Sequence, residues 1–202
     1  MILGYCCINM TLRGRDPSVY TNRTTTKSRF TKERASALAV QNVADMLTIL
    51  RWNESHGIKN FRISSEVFPQ STNGDLSYCP ADLPDGDEIV STLRECGRFA
   101  KAHGHVLSLH PGPFTCIASD EDAVVAKSVQ EVEAHNWVAE TICSGGPGLH
   151  VNINWHVGRN YGDGVSKRFI AGWRKLSESA RRRSSIENDD KAKGWSLSKL
   201  YK

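Results

Sequence analysis

Three short apolar runs each end in a side chain that can do chemistry. His110 closes "VLSLH", His156 closes "HVNINWH", and Glu187 closes "SSIE". Imidazole nitrogen together with carboxylate oxygen is a donor set for a borderline divalent ion such as Zn²⁺ or Mn²⁺. A glutamate can also bridge two ions through its two oxygens, and paired ions can activate water against a phosphodiester. A histidine at a strand end, taken singly, is more often a packed or hydrogen-bonded residue than a ligand. What favours the ligand reading is that the three residues close three consecutive strand candidates.

The elements that must position them follow from hydrophobic spacing and breakers. Ile2 to Ile8 is an apolar run and reads as a buried strand. Met10 to Phe30 is polar, rich in Thr and Arg, with Asp16-Pro17 marking a turn, and reads as a long loop. Thr31 is placed to cap a helix whose apolar positions recur at helical spacing up to His56-Gly57. Asn60 to Ser64 is a strand, Asp87 to His103 a helix stopped by Gly104, and His105 to Leu109 a strand. Ser119 caps a helix over Asp120 to Cys143, which "SGGPG" breaks. His150 to His156 is a strand, Val165 to Arg182 helical, Ser184 to Glu187 a strand, and Trp195 to Tyr201 opens another helix.

A β-α order repeated five times implies a parallel sheet with right-handed crossovers. The class is α/β, and two architectures fit: a doubly wound open sheet, or a TIM-type (β/α)8 barrel of which about the first five βα units are present. In a parallel barrel the C-terminal strand ends share one mouth, so His110, His156 and Glu187 would converge there. Tyr5 and Asn9 lie past the first strand, and Ser64, Ser65 and Glu66 past the second. No GxGxxG follows the first strand, which disfavours a dinucleotide site. His56 and His103 sit at helix C-termini, His105 and His150 open strands at the opposite end, and His135 is mid-helix, so none joins the metal set.

Length and composition bound the rest. The 202 residues fit one domain, 1–202, with ordinary globular composition at 39% hydrophobic and 24% charged. No apolar run is long enough for a membrane span. The first ten residues, MILGYCCINM, lack the basic start and long apolar stretch of a secretory signal. Six cysteines without a CxxC pair read as thiols in a reducing, intracellular compartment rather than as disulfides or a zinc knuckle. The net charge of +4 is mildly basic, with Arg13, Arg15, Arg23, Lys27, Arg29, Lys32 and Arg34 crowded into one early segment and Arg181 to Arg183 into another. Such clusters suit a polyanion, though solvated surface explains them as well.

At these residues the sequence resembles the UV damage endonuclease family. The matching stretches are "LGYCCINMTL", "NVADMLTILRWNESHGIKNFRISSEVFP", "LSLHPGPFTCIAS", "HVGRNYGDG", "LSESARRRSSIENDDK" and "GWSLSKLYK". They run in family order across nearly the whole chain. The wider superfamily holds endonuclease IV and xylose-isomerase-like barrels. The resemblance implies a TIM-type barrel binding divalent ions, most often Mn²⁺, with Zn²⁺ or Mg²⁺ as alternatives. It implies incision of damaged double-stranded DNA on the 5′ side of UV photoproducts. On that analogy His110 and His156 bind one ion and Glu187 bridges to a second, which makes the three the catalytic residues. Tyr5, Asn9, Pro113, Phe114 and Tyr161 match DNA- and lesion-binding positions. A complete member is expected to be monomeric, nucleoid or nuclear, and without a membrane partner.

The departures from the family pattern are specific. Pro113-Phe114 stands where the family carries Gln-Tyr, keeping an aromatic face but losing amide hydrogen bonding. "GRNYGDG" replaces "GGxYGDK", adding Arg159 and dropping a lysine. The family pattern also continues through three more strands bearing further ligands, so the chain is expected to be a fragment, a split gene product or a decayed copy, with an open sheet edge and an exposed apolar face. Two other readings stay open. One is a non-catalytic remnant that at most binds DNA; the other is a sugar isomerase or epimerase barrel, which would need neither the arginine-rich segment nor the aromatic after HPGP.

Overall fold

The computed structural model describes residues 2–158, 162, 164–188 and 195–196. The strands are β1 (Leu3–Cys6), β2 (Ile58–Arg62), β3 (Val106–Leu109), β4 (Val151–His156) and β5 (Ser184–Glu187). The helices are α1 (Met10–Arg13), α2 (Lys32–Ser55), α3 (Gly86–His103), α4 (Asp122–Gly145), α5 (Val165–Lys175) and α6 (Glu178–Arg183). Strand order in the sheet is β1-β2-β3-β4-β5, and the pairs β1/β2, β2/β3 and β4/β5 are parallel. A doubly wound sheet reverses its order at a switch point; a sequential order is that of a barrel wall. The sequence leaves both architectures open, and the strand order selects the barrel type, with β1 and β5 at the two ends of the order.

The chain divides into two compact units. The first comprises Met1–Leu109 with Trp137–Val151. Its core is built from the apolar stripe of α2 (Ala39, Val43, Met46, Ile49, Leu50), that of α3 (Ile89, Leu93, Cys96, Ala100), and Phe61, Ile63, Leu107 and Leu109 from the sheet. Thr31 caps α2 as expected, its hydroxyl accepting from the Arg34 N–H at 3.1 Å. Gly104 ends α3 in the left-handed conformation, φ +67°, which only glycine adopts without strain. Gly97 lets two helices touch, since a Cβ there would stand 1.8 Å from the Ile142 carbonyl oxygen.

The second unit comprises His110–Asn136 with Asn152–Lys202. Trp155, Phe169 and Trp173 stack with ring centroids 5.9–6.2 Å apart. Ala118, Val157 and Val165 form a small cluster with Phe169, Ile186 and Trp195 packed against it.

Two local expectations are corrected. The polar Met10 to Phe30 segment holds the short helix α1, because Asn9 caps it: the Asn9 side chain accepts from the Leu12 N–H at 2.9 Å. The single helix expected over Val165 to Arg182 is two helices. Leu176 is extended and buried, and Ser177 caps α6 while its own N–H and hydroxyl donate to Glu133 at 2.6 and 2.9 Å. Side-chain acceptors thus offer the backbone an alternative to helical bonding at that point. Opposite the Phe61–Leu107 side, β1 to β3 present Gly4, Cys6, Asn60, Arg62, Ser108 and the 46% exposed Val106, and Leu3 at the start of β1 is 58% exposed. The helix expected over Trp195 to Tyr201 lies outside the described residues beyond 196.

Candidate metal centre

β4 alternates strictly: Val151, Ile153 and Trp155 are buried, while Asn152, Asn154 and His156 share the other face. Register then sets Asn154 beside Ser185 and His156 beside Glu187 on β5. His110 follows β3 directly, and Pro111 after it has no N–H with which to continue the ladder. The result is that His110, His156 and Glu187 each offer one ligand atom, all lying within 4.8 Å of one another. The two imidazoles meet edge to face, with centroids 5.4 Å apart.

The donor chemistry fits a divalent cation. His110 Nδ1 lies 2.9 Å from the Pro111 carbonyl oxygen, which can only accept, so Nδ1 carries the proton. In the neutral imidazole that places the lone pair on Nε2, 3.4 Å from Glu187 Oε2. Two acceptors at that distance repel unless a proton or a cation sits between them. Two ligand atoms each about 2.1 Å from one ion and at a tetrahedral angle are about 3.4 Å apart. A backbone carbonyl fixing the imidazole tautomer is the usual support of a ligating histidine.

A polar ladder holds the carboxylate. The Asn154 amide donates to Glu187 Oε2 at 2.6 Å. Its own carbonyl oxygen accepts from the Ser185 hydroxyl at 2.8 Å, and that hydroxyl in turn accepts from the Asn152 amide at 2.7 Å. Asn152, Asn154 and Ser185 were not singled out from the sequence, although the alternation V-N-I-N-W-H already puts both asparagines on the face of His156.

The remaining predicted positions divide between the two units. In the second unit, Phe114 is 83% exposed and Pro113 is exposed. In the first, the chain leaves β1 through Cys7 at φ +61°, with the Ile8 N–H donating to the Cys6 carbonyl in a three-residue turn. That turn brings Asn9 back to Tyr5. The Asn9 amide donates to the Tyr5 hydroxyl at 2.9 Å, and that hydroxyl donates to Asn53 Oδ1 at 2.7 Å. Asn9 is only 4% exposed, and burial raises the Tyr5 pKa above its ordinary value. Tyr161 and Arg159 lie outside the described residues.

The other histidines occupy structural settings. His105 is buried with Nε2 2.8 Å from Glu54 Oε2, and His103 Nδ1 lies 3.6 Å from the same carboxylate, which also binds Lys59. The lysine and His105 hydrogen bonds hold the Glu54 carboxyl down at about 2. His135 is buried in α4 with Nδ1–H donated to the Glu131 carbonyl at 2.8 Å, and burial lowers its pKa.

The early basic segment is not uniform. Arg23 is drawn inward, bound to Asp45 at 2.7 Å and stacked on Tyr20. Arg13, Arg15, Lys27 and Arg29 are exposed. Among the described residues, no helix is long and apolar enough to cross a membrane.

Comparisons with known proteins give the chain's family. A UV DNA damage endonuclease of Clostridium perfringens is 31% identical over 95% of this chain and 44% of its own length. A UV-damage endonuclease of Schizosaccharomyces pombe is 30% identical over 98% of this chain and 33% of its own. A chain from Acanthamoeba polyphaga mimivirus is 35% identical over 95% of this chain and 58% of its own. A crystal structure of SacUVDE superposes with a TM-score of 0.82 at 29% identity, covering 96% of this chain and 62% of that one. The chain therefore spans between a third and three fifths of the proteins it matches. The model of the family described as UV-endonuclease UvdE matches residues 1–202, and the chain belongs to that family.

Proposed function

We propose that this chain is a metal-dependent DNA repair endonuclease that incises the backbone 5′ to UV photoproducts. The observation that carries the reading is the convergence of His110, His156 and Glu187 within one ligand sphere. Manganese is the ion that family membership implies, with Zn²⁺ or Mg²⁺ as alternatives; two imidazoles and one carboxylate suit a borderline divalent cation without choosing among these. When bound, a divalent ion would supply Lewis acidity that lowers the pKa of water and offsets charge on the departing oxygen.

The chain's own residues set the site up for that chemistry. The Pro111 carbonyl fixes the His110 tautomer and turns Nε2 toward the carboxylate. Asn154 and Ser185 hold Glu187 in place before any ion arrives, so that less ordering is left to be done on binding. Phe114 offers an exposed aromatic face on which a base can stack. Pro113 before it stiffens the approach, and Tyr5, Asn9 and Tyr161 are assigned to the lesion side by family position. Exposed Arg13, Arg15, Lys27 and Arg29 supply sequence-independent phosphate contacts. A damaged base costs less to extrude than an intact one, which is the source of lesion preference.

The test is nicking of UV-irradiated supercoiled plasmid by the purified chain with Mn²⁺. Lesion-dependent nicking abolished by His110→Ala and by Glu187→Ala supports the reading. Retention of nicking in both variants, or no nicking by the chain while a longer relative nicks under the same conditions, contradicts it.

A further inference from the structure

Arg62 closes β2 on the polar face of the sheet in the first unit, flanked in register by Cys6 on β1 and Ser108 on β3. Its side chain is half-buried, and its Nε is wholly removed from solvent without a hydrogen-bond partner among the described residues. The contrast within the same unit is Arg23, whose half-buried guanidinium has Asp45, the Ser18 carbonyl and the Tyr20 carbonyl. Arg34 and Arg94 have hydroxyl partners, and Arg51 has Glu95. Arginine cannot shed its charge to relieve desolvation, so a guanidinium with a buried, unpaired nitrogen gains by pairing with an anion. The neighbours suit one. The Ser108 hydroxyl and the exposed Cys6 thiol are hydrogen-bond donors on the same face, and among the described residues no carboxylate forms an ion pair with Arg62.

We propose that Arg62 is a binding site for a phosphate oxyanion, with the guanidinium fork making two parallel hydrogen bonds to it and Ser108 a third. Planar, bidentate recognition of phosphate is what arginine does better than lysine. If the chain acts on DNA as proposed above, the oxyanion is a backbone phosphate; the site itself does not depend on that reading.

The experiment uses the ¹⁵N-labelled chain, with the Arg62 Nε–H signal assigned by its disappearance in Arg62→Lys. Inorganic phosphate is titrated at constant ionic strength against chloride. A saturable shift of that signal with phosphate, absent with chloride, is the expected result. In a second arm, binding of a short undamaged duplex is followed by fluorescence anisotropy across salt concentrations. Arg62→Met should lower the slope of log affinity against log salt by about one, while Arg62→Lys retains it. A phosphate shift in a chain that binds no duplex supports the anion site and removes the DNA reading. An unmoved Arg62 signal with phosphate, together with duplex binding of unchanged slope in a folded Arg62→Met chain, overturns the site and leaves the DNA reading standing.

Discussion

Asn154→Leu is the substitution that isolates the support of the metal centre from its ligands. Leucine keeps the side chain's length and branching but removes the amide that donates to Glu187 Oε2 at 2.6 Å and the carbonyl that accepts from Ser185. A hydrogen bond to a charged acceptor contributes about 1.5–3 kcal/mol, and each 1.4 kcal/mol is roughly tenfold in an equilibrium constant. The Glu187 side chain is 43% exposed, so water replaces part of what is lost and the low end of that range applies. The expected outcome is Mn²⁺ affinity weakened by about tenfold, measured by calorimetric titration at neutral pH. That agrees with the roughly 10- to 100-fold usual for removing a partner of a metal ligand. Asn152→Ala is the control: its amide reaches Ser185 and not the carboxylate, so affinity should change by less than about twofold. Unaltered Mn²⁺ affinity in a natively folded Asn154→Leu chain would refute the claim that the ladder pre-sets Glu187.

Three further outcomes follow from the geometry. Glu54 has its folded-state pKa depressed from 4.5 to about 2 by Lys59 and His105, so its contribution to stability is present above pH 4.5 and is lost as pH falls toward 2. Glu54→Gln should therefore lower the melting temperature at pH 7 and flatten the acid unfolding curve below pH 4.5; parallel curves for the two chains would contradict this. Gly97→Ala puts a methyl 1.8 Å from the Ile142 carbonyl oxygen, in helix backbone that cannot swing aside. Thermal unfolding should show a loss of about 1–3 kcal/mol or more, against a wild-type-like melt if the helices simply part. Phe114→Ala removes a side chain that is 83% exposed, so stability should move by less than about 0.5 kcal/mol. Affinity for a lesion-bearing duplex should fall by the roughly 1–3 kcal/mol of one lost base stack; a duplex bound equally well would exclude Phe114 from the interface.

The features legible in the sequence are those carried by local chemistry. Hydrophobic runs bounded by glycine and proline locate all five strands to within a few residues, and Thr31 and Gly104 mark helix ends because capping and the left-handed conformation are short-range constraints. His110, His156 and Glu187 could be picked out because strand ends in a parallel sheet face one way. The break between α5 and α6 was not legible, since it depends on Glu133, more than forty residues upstream, accepting from Ser177. Nor was the burial of Asn9, whose amide serves Tyr5 while its oxygen caps α1. Arg62 reads in the sequence as one more basic residue; only its lack of a partner in a half-buried position sets it apart.

The ligand set itself is most directly examined by soaking crystals of the chain in Mn²⁺ and collecting data at a wavelength where manganese scatters anomalously. The account predicts a peak about 2 Å from His110 Nε2, from a His156 ring nitrogen and from a Glu187 carboxylate oxygen. Ordered side chains at these three positions with no peak between them at saturating Mn²⁺, or a peak held by other residues, would contradict it.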